Sequence, residues 1–215
     1  MVALNSESSQ SKTRQQLLDA AGQVFAEHGY RAATVREICL RAGANVASIH
    51  YHFGDKEKLY LEVLRYAQQL DTKNNPGLSQ SDRLAAPEEQ LKGFVRSMLV
   101  KLLSPGSHAW DGKLLAREMI EPSVGMEVVI DERIRPLHNH IREILRSFLG
   151  PRVTDDELRQ HEFSIVSQCV FYHHCREVVS RLYPRFKPNA PEIERLVDHI
   201  TAFSIAALKA KAPRK

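Results

Sequence analysis

The 215-residue sequence has few of the features that tie a chain to covalent cross-links or to a membrane. It holds three cysteines, Cys39, Cys169 and Cys175. They are too few and too scattered for a disulfide framework, so a reducing, cytoplasmic setting is expected. No apolar run approaches the roughly 20 residues that span a bilayer, and the polar start MVALNSESSQSK lacks the apolar core of a secretory signal. A membrane partner is therefore not expected. Nor does charge of one sign dominate. The net charge is +4; residues 1–70 hold 8 Lys and Arg against 7 Asp and Glu, and residues 71–215 hold 22 against 19. This balance permits a nucleic-acid partner without announcing one. No Ser/His/Asp order, phosphate-cradling glycine loop or paired-carboxylate motif supports catalysis. Neither an enzyme nor a cofactor is expected.

What is present is helical periodicity, with no convincing period-two run, so the fold class is all-α. Residues 1–12, Ser-rich and apolar-poor, read as a disordered arm. From Thr13, the residues Leu17, Leu18, Ala21, Val24 and Phe25 recur at helical spacing until Gly29. TVRE from Thr34 reads as a capping box, in which the Thr34 hydroxyl and the Glu37 carboxylate satisfy free backbone donors. It opens a short helix to about Ala42, which Gly43 breaks. Asn45 caps a second short helix, VASIHYHF, ended by Gly54, and Asp55 caps a longer one to about residue 70. Residues 71–87 are polar and rich in turn formers and form the boundary. Residues 88–212 carry further helices over about 88–103 and 109–120, then 126–149 with a kink or split at Pro136. A second capping box, TDDE from Thr154, opens a long helix to about Leu182. The last helix follows Pro191 and aligns Ile193, Leu196, Val197, Ile200, Phe203, Ala207 and Leu208 on one stripe. That is more apolar surface than a lone terminal helix leaves in water, and pairing with a second copy would cover it.

Two short helices joined by a tight Gly-containing turn make a helix-turn-helix, whose second helix enters the DNA major groove. At 100° per residue Val46, Ala47, Ser48, His50 and Tyr51 reach outward from that helix, while Ile49 and Phe53 point to the core. Small and hydrogen-bonding side chains suit base edges and phosphates, and Val46 and Ala47 suit thymine methyls. His50 and His52 invite a metal reading, but positions i and i+2 of a helix lie about 200° apart and cannot chelate one ion. No metal is assigned there.

The run TRQQLLDAAGQVFAEHGYRAATVREICLRAGANVASIHYHFGDKEKLYLEVL, about residues 13–64, resembles the DNA-binding domain of the tetracycline-repressor (TetR) family. Phe25, Gly29, Thr34, Ile38, Ala42–Gly43, the Tyr51–His52–Phe53 ending and Lys56–Glu57 before Leu59 keep the family spacing. The resemblance implies a homodimeric regulator, with a three-helix head over residues 13–70 (connecting helix included) and a larger effector-binding, dimerising helical domain. It places Thr34 and Lys56 at phosphate-contacting positions and Arg36 at a base-reading position. Val46, Ala47, Ser48, His50, Tyr51 and His52 then form the recognition helix. Two departures stand out: Asn45 replaces the usual Ser or Thr cap, and His50 stands where Tyr is commonest. With no Lys or Arg on the recognition helix, guanine readout would rest largely on Arg36. Each position also has a plainer role open to it; Thr34 can be only a cap, and His52 a buried orienting group.

In the larger domain WDGKLLAREMIEPS (110–123) and IRPLHNHI (134–141) look like the branch typified by the CecR regulators. The bulky or soft residues Phe94, Met98, Trp110, Leu114, Met119, Phe163 and Phe171 are candidates for an effector pocket, although such side chains equally fill cores. Glu118 and Glu121 could hold a cationic or hydroxylated ligand or be solvated. Cys169 and His173, four apart, with His161 and Cys175, offer a metal-responsive alternative without any CxxC or HExxH spacing. The expected partners are a double-stranded, near-palindromic DNA operator, a second copy of the chain and an unknown small-molecule effector that releases the operator by shifting the helix of residues 56–70. A helical ligand-binding protein with a vestigial head is the other alternative.

Overall fold

The computed structural model describes residues 2–74, 85–103 and 109–211, and the side chains of 10–70, 85–103 and 110–211. Among these residues every regular element is helical. The chain divides into two compact units, one formed by Met1–Lys73 with Gly106–Ile134 and the other by Asn74–Pro105 with Arg135–Lys215.

The N-terminal unit begins with α1 (Val2–Ala32). It is helical from Val2, where the Ser-rich composition suggests a disordered arm over residues 1–12. No proline or glycine interrupts the chain before Gly22, and Gln, Glu and Lys are good helix formers, so the helix propagates backward from its packed part. Gly29 breaks α1 near its end, at φ 76° and ψ 169°, backbone that L side chains rarely adopt. Then come α2 (Val35–Ala42), α3 (Val46–Phe53) and α4 (Lys56–Asn74). The boundary segment expected over 71–87 lies mostly outside the described residues; of its ends, 71–74 belong to α4.

Leu17, Ala21, Val24 and Phe25 of α1, Ile38 of α2, Ile49 and Phe53 of α3, and Leu59, Tyr60 and Val63 of α4 form one core. Two later elements join it, α6 (Ala109–Ile120) and the short α7 (Met126–Val129). Residues 109–134, which follow the boundary expected over 71–87, pack with the first unit. Glycines show why. A Cβ on Gly22 would lie 2.7 Å from three ring atoms of Trp110, and one on Gly125 would run into Leu64 Cδ1. Both glycines let a large neighbour lie directly on the backbone.

The second unit consists of α5 (Pro87–Leu103), α8 (Arg135–Leu149), α9 (Asp155–His174), α10 (Arg176–Leu182) and α11 (Ala190–Lys211). A π-helical turn, Ile130–Ile134, precedes α8, so the α-helical hydrogen-bond pattern breaks just before Pro136, which has no N–H to give it. The capping box at Thr154 forms in both directions. Glu157 N–H donates to Thr154 Oγ1 (3.2 Å) and Thr154 N–H to Glu157 Oε2 (2.9 Å). Those bonds from Thr154 hold the Glu157 carboxyl below its usual range. The long helix from Thr154 is interrupted at Cys175, whose backbone (φ −96°, ψ 20°) leaves the helical region.

The stripe on α11 has a different destination from the one expected. Ile193, Leu196, Val197, Ile200 and Leu208 are buried inside their own unit, against Leu91, Phe94, Val95 and Leu99 of α5 and Ile141, Ile144 and Leu145 of α8. Burial within the subunit takes the most apolar face. The face left outside carries His199, Ala202, Phe203 and Ala206, and that of α9 carries Phe163, Ser164, Ser167 and Phe171.

Candidate nucleic-acid interface

Thr34 starts α2 in extended conformation, and its hydroxyl accepts from Glu37 N–H at 3.2 Å. The reciprocal half of the box is not made. Glu37 instead lies 3.0 Å from His28 Nε2 and 3.8 Å from Arg41. Arg41 donates a two-pronged bond to Glu27, both at 2.8 Å, which holds the Glu27 carboxyl below its usual range. Gly43 closes α2 in the left-handed region, φ 63° and ψ 31°, and the Ala44 N–H reaches back to Cys39 O at 2.9 Å.

This turn aims α3. Asn45 Oδ1 accepts from the backbone N–H of Ser48 (2.9 Å) and from its hydroxyl (3.1 Å). Asn therefore caps as well as the Ser or Thr it replaces. Ile49 and Phe53 sink into the core, while Val46, Ala47, His50 and Tyr51 are exposed, Tyr51 to 71%. Ser48 is half-buried and its hydroxyl serves the cap. His52 is also half-buried, with the Tyr51 ring edge-on at 4.9 Å.

His50 has a defined tautomer. Its Nδ1 lies 2.7 Å from the carbonyl of Gly54, which can only accept, so Nδ1 carries the hydrogen. In the neutral ring Nε2 is then an acceptor.

Arg36 is exposed and has no hydrogen-bond or ion-pair partner among the described residues. Lys56, by contrast, is half-buried. Its ammonium donates to Arg31 O at 3.2 Å and sits 4.8 Å from the centre of the Tyr30 ring, and burial lowers its pKa. Asp55 Oδ1 caps α4 by accepting from Lys58 N–H at 2.8 Å. Arg14 lies over the Phe53 ring at 5.1 Å while donating to Glu62 at 2.7 Å, which pins α3 through its last residue. The outer face of α3 thus stands on a braced frame with a free guanidinium on α2.

Two family models match the chain. One describes bacterial regulatory proteins of the tetR family and matches residues 17–63. The other describes the C-terminal domain of the HTH-type transcriptional dual regulator CecR and matches residues 87–208, more than half of the chain. The chain belongs to the TetR family, in its CecR-like branch.

CecR of Shigella flexneri is 28% identical over 176 residues, covering 78% of each chain. The HTH-type transcriptional repressor AcnR of Corynebacterium diphtheriae is 36% identical over 154 residues, covering 65% of this chain and 80% of that one. Among solved structures, AibR in complex with isovaleryl coenzyme A and operator DNA shares the fold at a TM-score of 0.59 and 19% identity, covering 89% of this chain and 97% of that one. As a TetR-family member this chain is a DNA-binding transcriptional regulator.

The effector candidates named from this TetR-family sequence are divided between the two units. Trp110 and Leu114 are buried in the N-terminal core, Trp110 flat on Gly22 and stacked near Tyr66 (6.2 Å). Phe94 is buried in the C-terminal core and Met98 packs against it. Met119, Phe163 and Phe171 are about half exposed. Bulk and softness serve core, surface and pocket alike, so residue type could not separate them.

A recess lined by Leu64, Gln68, Leu115, Val128 and Arg133 has room for about 10 Å³, barely that of one water. A larger hollow of about 180 Å³ in the C-terminal unit is lined by Leu149, Arg152, Val153, Glu157, His161 and Lys211.

Glu118 is not a ligand holder. It is buried, and it accepts from the Tyr60 hydroxyl (2.6 Å), the Ser123 backbone N–H (2.8 Å) and the Ser123 hydroxyl (2.8 Å). Burial and the Glu118 carboxylate push the Tyr60 hydroxyl well above its usual range. Glu121 is exposed and lies 3.6 Å from Arg117.

The proposed metal set does not converge. His173 Nδ1 donates to Leu102 O at 2.9 Å, and Cys169 is buried, its thiol pushed up to about 12 by that burial. Among the described residues the one cluster with three ligand-type groups in reach is Glu27, His28 and Glu37, and Arg41 already occupies both oxygens of Glu27.

Two features escaped sequence reasoning, the Glu27–His28–Glu37–Arg41 cluster and a half-buried histidine–glutamate pair in the C-terminal unit. In that pair Glu162 accepts from His138 Nδ1 at 2.7 Å. The available signals were the i,i+4 spacing of Glu37 and Arg41, and an acid at a core position of the Leu158, Glu162, Ile165, Cys169 pattern. Among the described residues no helix is long and apolar enough to cross a membrane.

Proposed function

We propose that the chain is a homodimeric, ligand-responsive transcriptional repressor that binds a near-palindromic operator through α3 and is released by a small-molecule effector. The observation that carries the reading is the division of α3, with Ile49 and Phe53 buried and Val46, Ala47, His50 and Tyr51 outside. Eight residues anchored this way form a rod of the size a major groove accepts. Arg36, beside it on α2, supplies the guanine-reading fork that α3 lacks, and the exposed Thr34 stands at the start of α2, where backbone N–H groups favour phosphate. Lys56 reaches phosphate only by leaving Arg31 O and the Tyr30 ring. His52 orients Tyr51, and Ser48 serves mainly as part of the cap.

Dimerisation is supported by the outer faces of α9 and α11, where Phe163, Phe171 and Phe203 stand at least half exposed among small residues. A four-helix bundle across a two-fold axis buries such faces and presents two recognition helices to successive grooves. Binding of an effector as well as an operator is supported by family likeness and by AibR, which was solved with both isovaleryl coenzyme A and operator DNA. Effector and operator must disfavour one another reciprocally, typically by about 1–3 kcal/mol.

Fluorescence anisotropy on an operator selected from genomic fragments tests the reading. The wild type binds specifically, and the Arg36→Ala, Tyr51→Ala double variant loses about 100-fold or more of affinity while keeping its unfolding temperature. Equal affinity for operator and scrambled DNA would sink the DNA half of the proposal. A single-subunit mass in sedimentation would sink the dimer.

A further inference from the structure

Three buried side-chain oxygens among the described residues, Glu162 Oε2, Thr201 Oγ1 and Ser204 Oγ, have no hydrogen-bond partner, and all fall within the C-terminal unit. The most costly of them chemically is Glu162 Oε2. Glu162 is 5% exposed, and its other oxygen, Oε1, takes the single bond from His138 Nδ1 at 2.7 Å. A carboxylate has about four acceptor sites, and leaving one oxygen bare in a core is unfavourable unless something else supplies a donor. The surroundings supply none. Leu158, Ile165 and Cys169, on the same face of α9 as Glu162, are buried and apolar or nearly so. His138 keeps 39% of its side-chain surface in solvent, so the pair joins the core to the outside.

We propose that Glu162, steadied by His138, is the anchor of the effector site, and that the effector is an organic cation with an N–H donor on an apolar body. The N–H and positive charge satisfy Glu162 Oε2, and the apolar body suits the Leu158 and Ile165 side chains beside it. This inference rests on the proposal that the protein is ligand-responsive, and it adds where the ligand is held and what chemistry it has. Thr201 and Ser204 on α11 also have buried hydroxyls without partners, which gives the same core further polar capacity. A satisfied carboxylate would argue for structure alone, but an acid that is half satisfied is what a site looks like before its ligand arrives.

The test uses the full-length protein and three probes of one size, benzylammonium, benzyl alcohol and benzoate, with binding read by ligand-observed NMR and thermal unfolding. Benzylammonium is expected to bind about tenfold or more tightly than either control and to raise the unfolding temperature. Glu162→Gln, which keeps the shape and removes the charge, is expected to weaken it about tenfold. Glu162→Leu is expected to abolish binding while leaving the unfolding temperature of the ligand-free protein equal or higher. A large drop in that temperature would show that the acid is structural and overturn the proposal. So would benzylammonium binding that Glu162→Gln leaves unchanged, or no binding beyond the controls, the result expected if only an ordered water meets Oε2. Operator release is read separately by anisotropy. If Glu162-dependent binding is found and no compound releases operator, the induction reading falls and the anchor stands. If compounds release operator and both proteins bind benzylammonium alike, the anchor falls and the induction reading stands.

Discussion

Each unit buries a glutamate on a helix, and the two are finished differently. Glu118 of α6 is met by a tyrosine hydroxyl, a serine hydroxyl and a backbone N–H, all within 2.8 Å. Glu162 of α9 is met by one histidine nitrogen. The first arrangement spends its polar groups on holding α4, α6 and the turn at Ser123 together. The second leaves capacity unspent. The difference teaches that a buried charge is informative through its partners rather than its burial. A complete set marks a joint of the frame, and an incomplete one marks a place where something else is to fit.

The comparison can be broken most directly at the two acids. Glu118→Leu strands the Tyr60 hydroxyl in an apolar core and is expected to cost about 2–4 kcal/mol in urea unfolding. Glu162→Leu is expected to cost nothing or to stabilise. Similar costs at both sites would erase the distinction.

Next in size is Gly22→Ala, whose Cβ would meet the Trp110 ring at 2.7 Å. It is expected to cost about 1–3 kcal/mol and to shift the emission of the single tryptophan. An unchanged spectrum and stability would show that α1 and α6 are not in such close contact.

The cysteines offer a smaller contrast. Cys39 and Cys169 are buried and burial raises both thiols, while Cys175 is half-buried. Iodoacetamide at pH 8 is expected to label Cys175 first, read by peptide mass spectrometry, and Cys39 and Cys169 only on unfolding.

The smallest effect lies at the surface, where the Arg41 fork holds the Glu27 carboxyl below its usual range. A depressed carboxyl contributes stability above its unfolded pKa of about 4.5 and loses it as pH falls through the lower folded value. Arg41→Ala is expected to lower stability slightly at pH 7–8, where the pair is charged, and to converge on the wild type as pH falls below the folded value, which flattens part of the acid limb of a stability–pH curve. A loss that persisted undiminished at low pH would show that Arg41 acts through packing instead.

How much of this was legible in the sequence follows from the range over which each signal acts. The caps at Thr34, Asn45, Asp55 and Thr154 depend on three or four consecutive residues, and their positions read directly. The outward set of α3 follows from 100° per residue, and its exposed and buried members fall as that rotation requires, apart from Ser48, which the cap claims.

Signals that depend on partners far along the chain did not read. The α11 stripe was visible as apolar, yet nothing local says whether α5 and α8 or a second chain covers it. The attachment of 109–134 to the first unit involves Gly22 admitting Trp110 and Gly125 admitting Leu64, and a glycine at a close approach looks the same in sequence as one at a turn. The half-made capping box at Thr34 shows the same limit. Glu37 has a competing partner in His28, which belongs to another helix.

The bond from His50 to the Gly54 carbonyl has a consequence for what the outer edge of α3 welcomes. With its proton committed inward, the neutral ring shows the outside a lone pair, so amino groups on a neighbouring surface suit it and carbonyl or phosphoryl oxygens do not. A tyrosine in the same place would turn a hydroxyl hydrogen outward and reverse that preference. One carbonyl of the chain's own backbone, five residues before Leu59, thereby sets the polarity that this position offers to whatever docks against it.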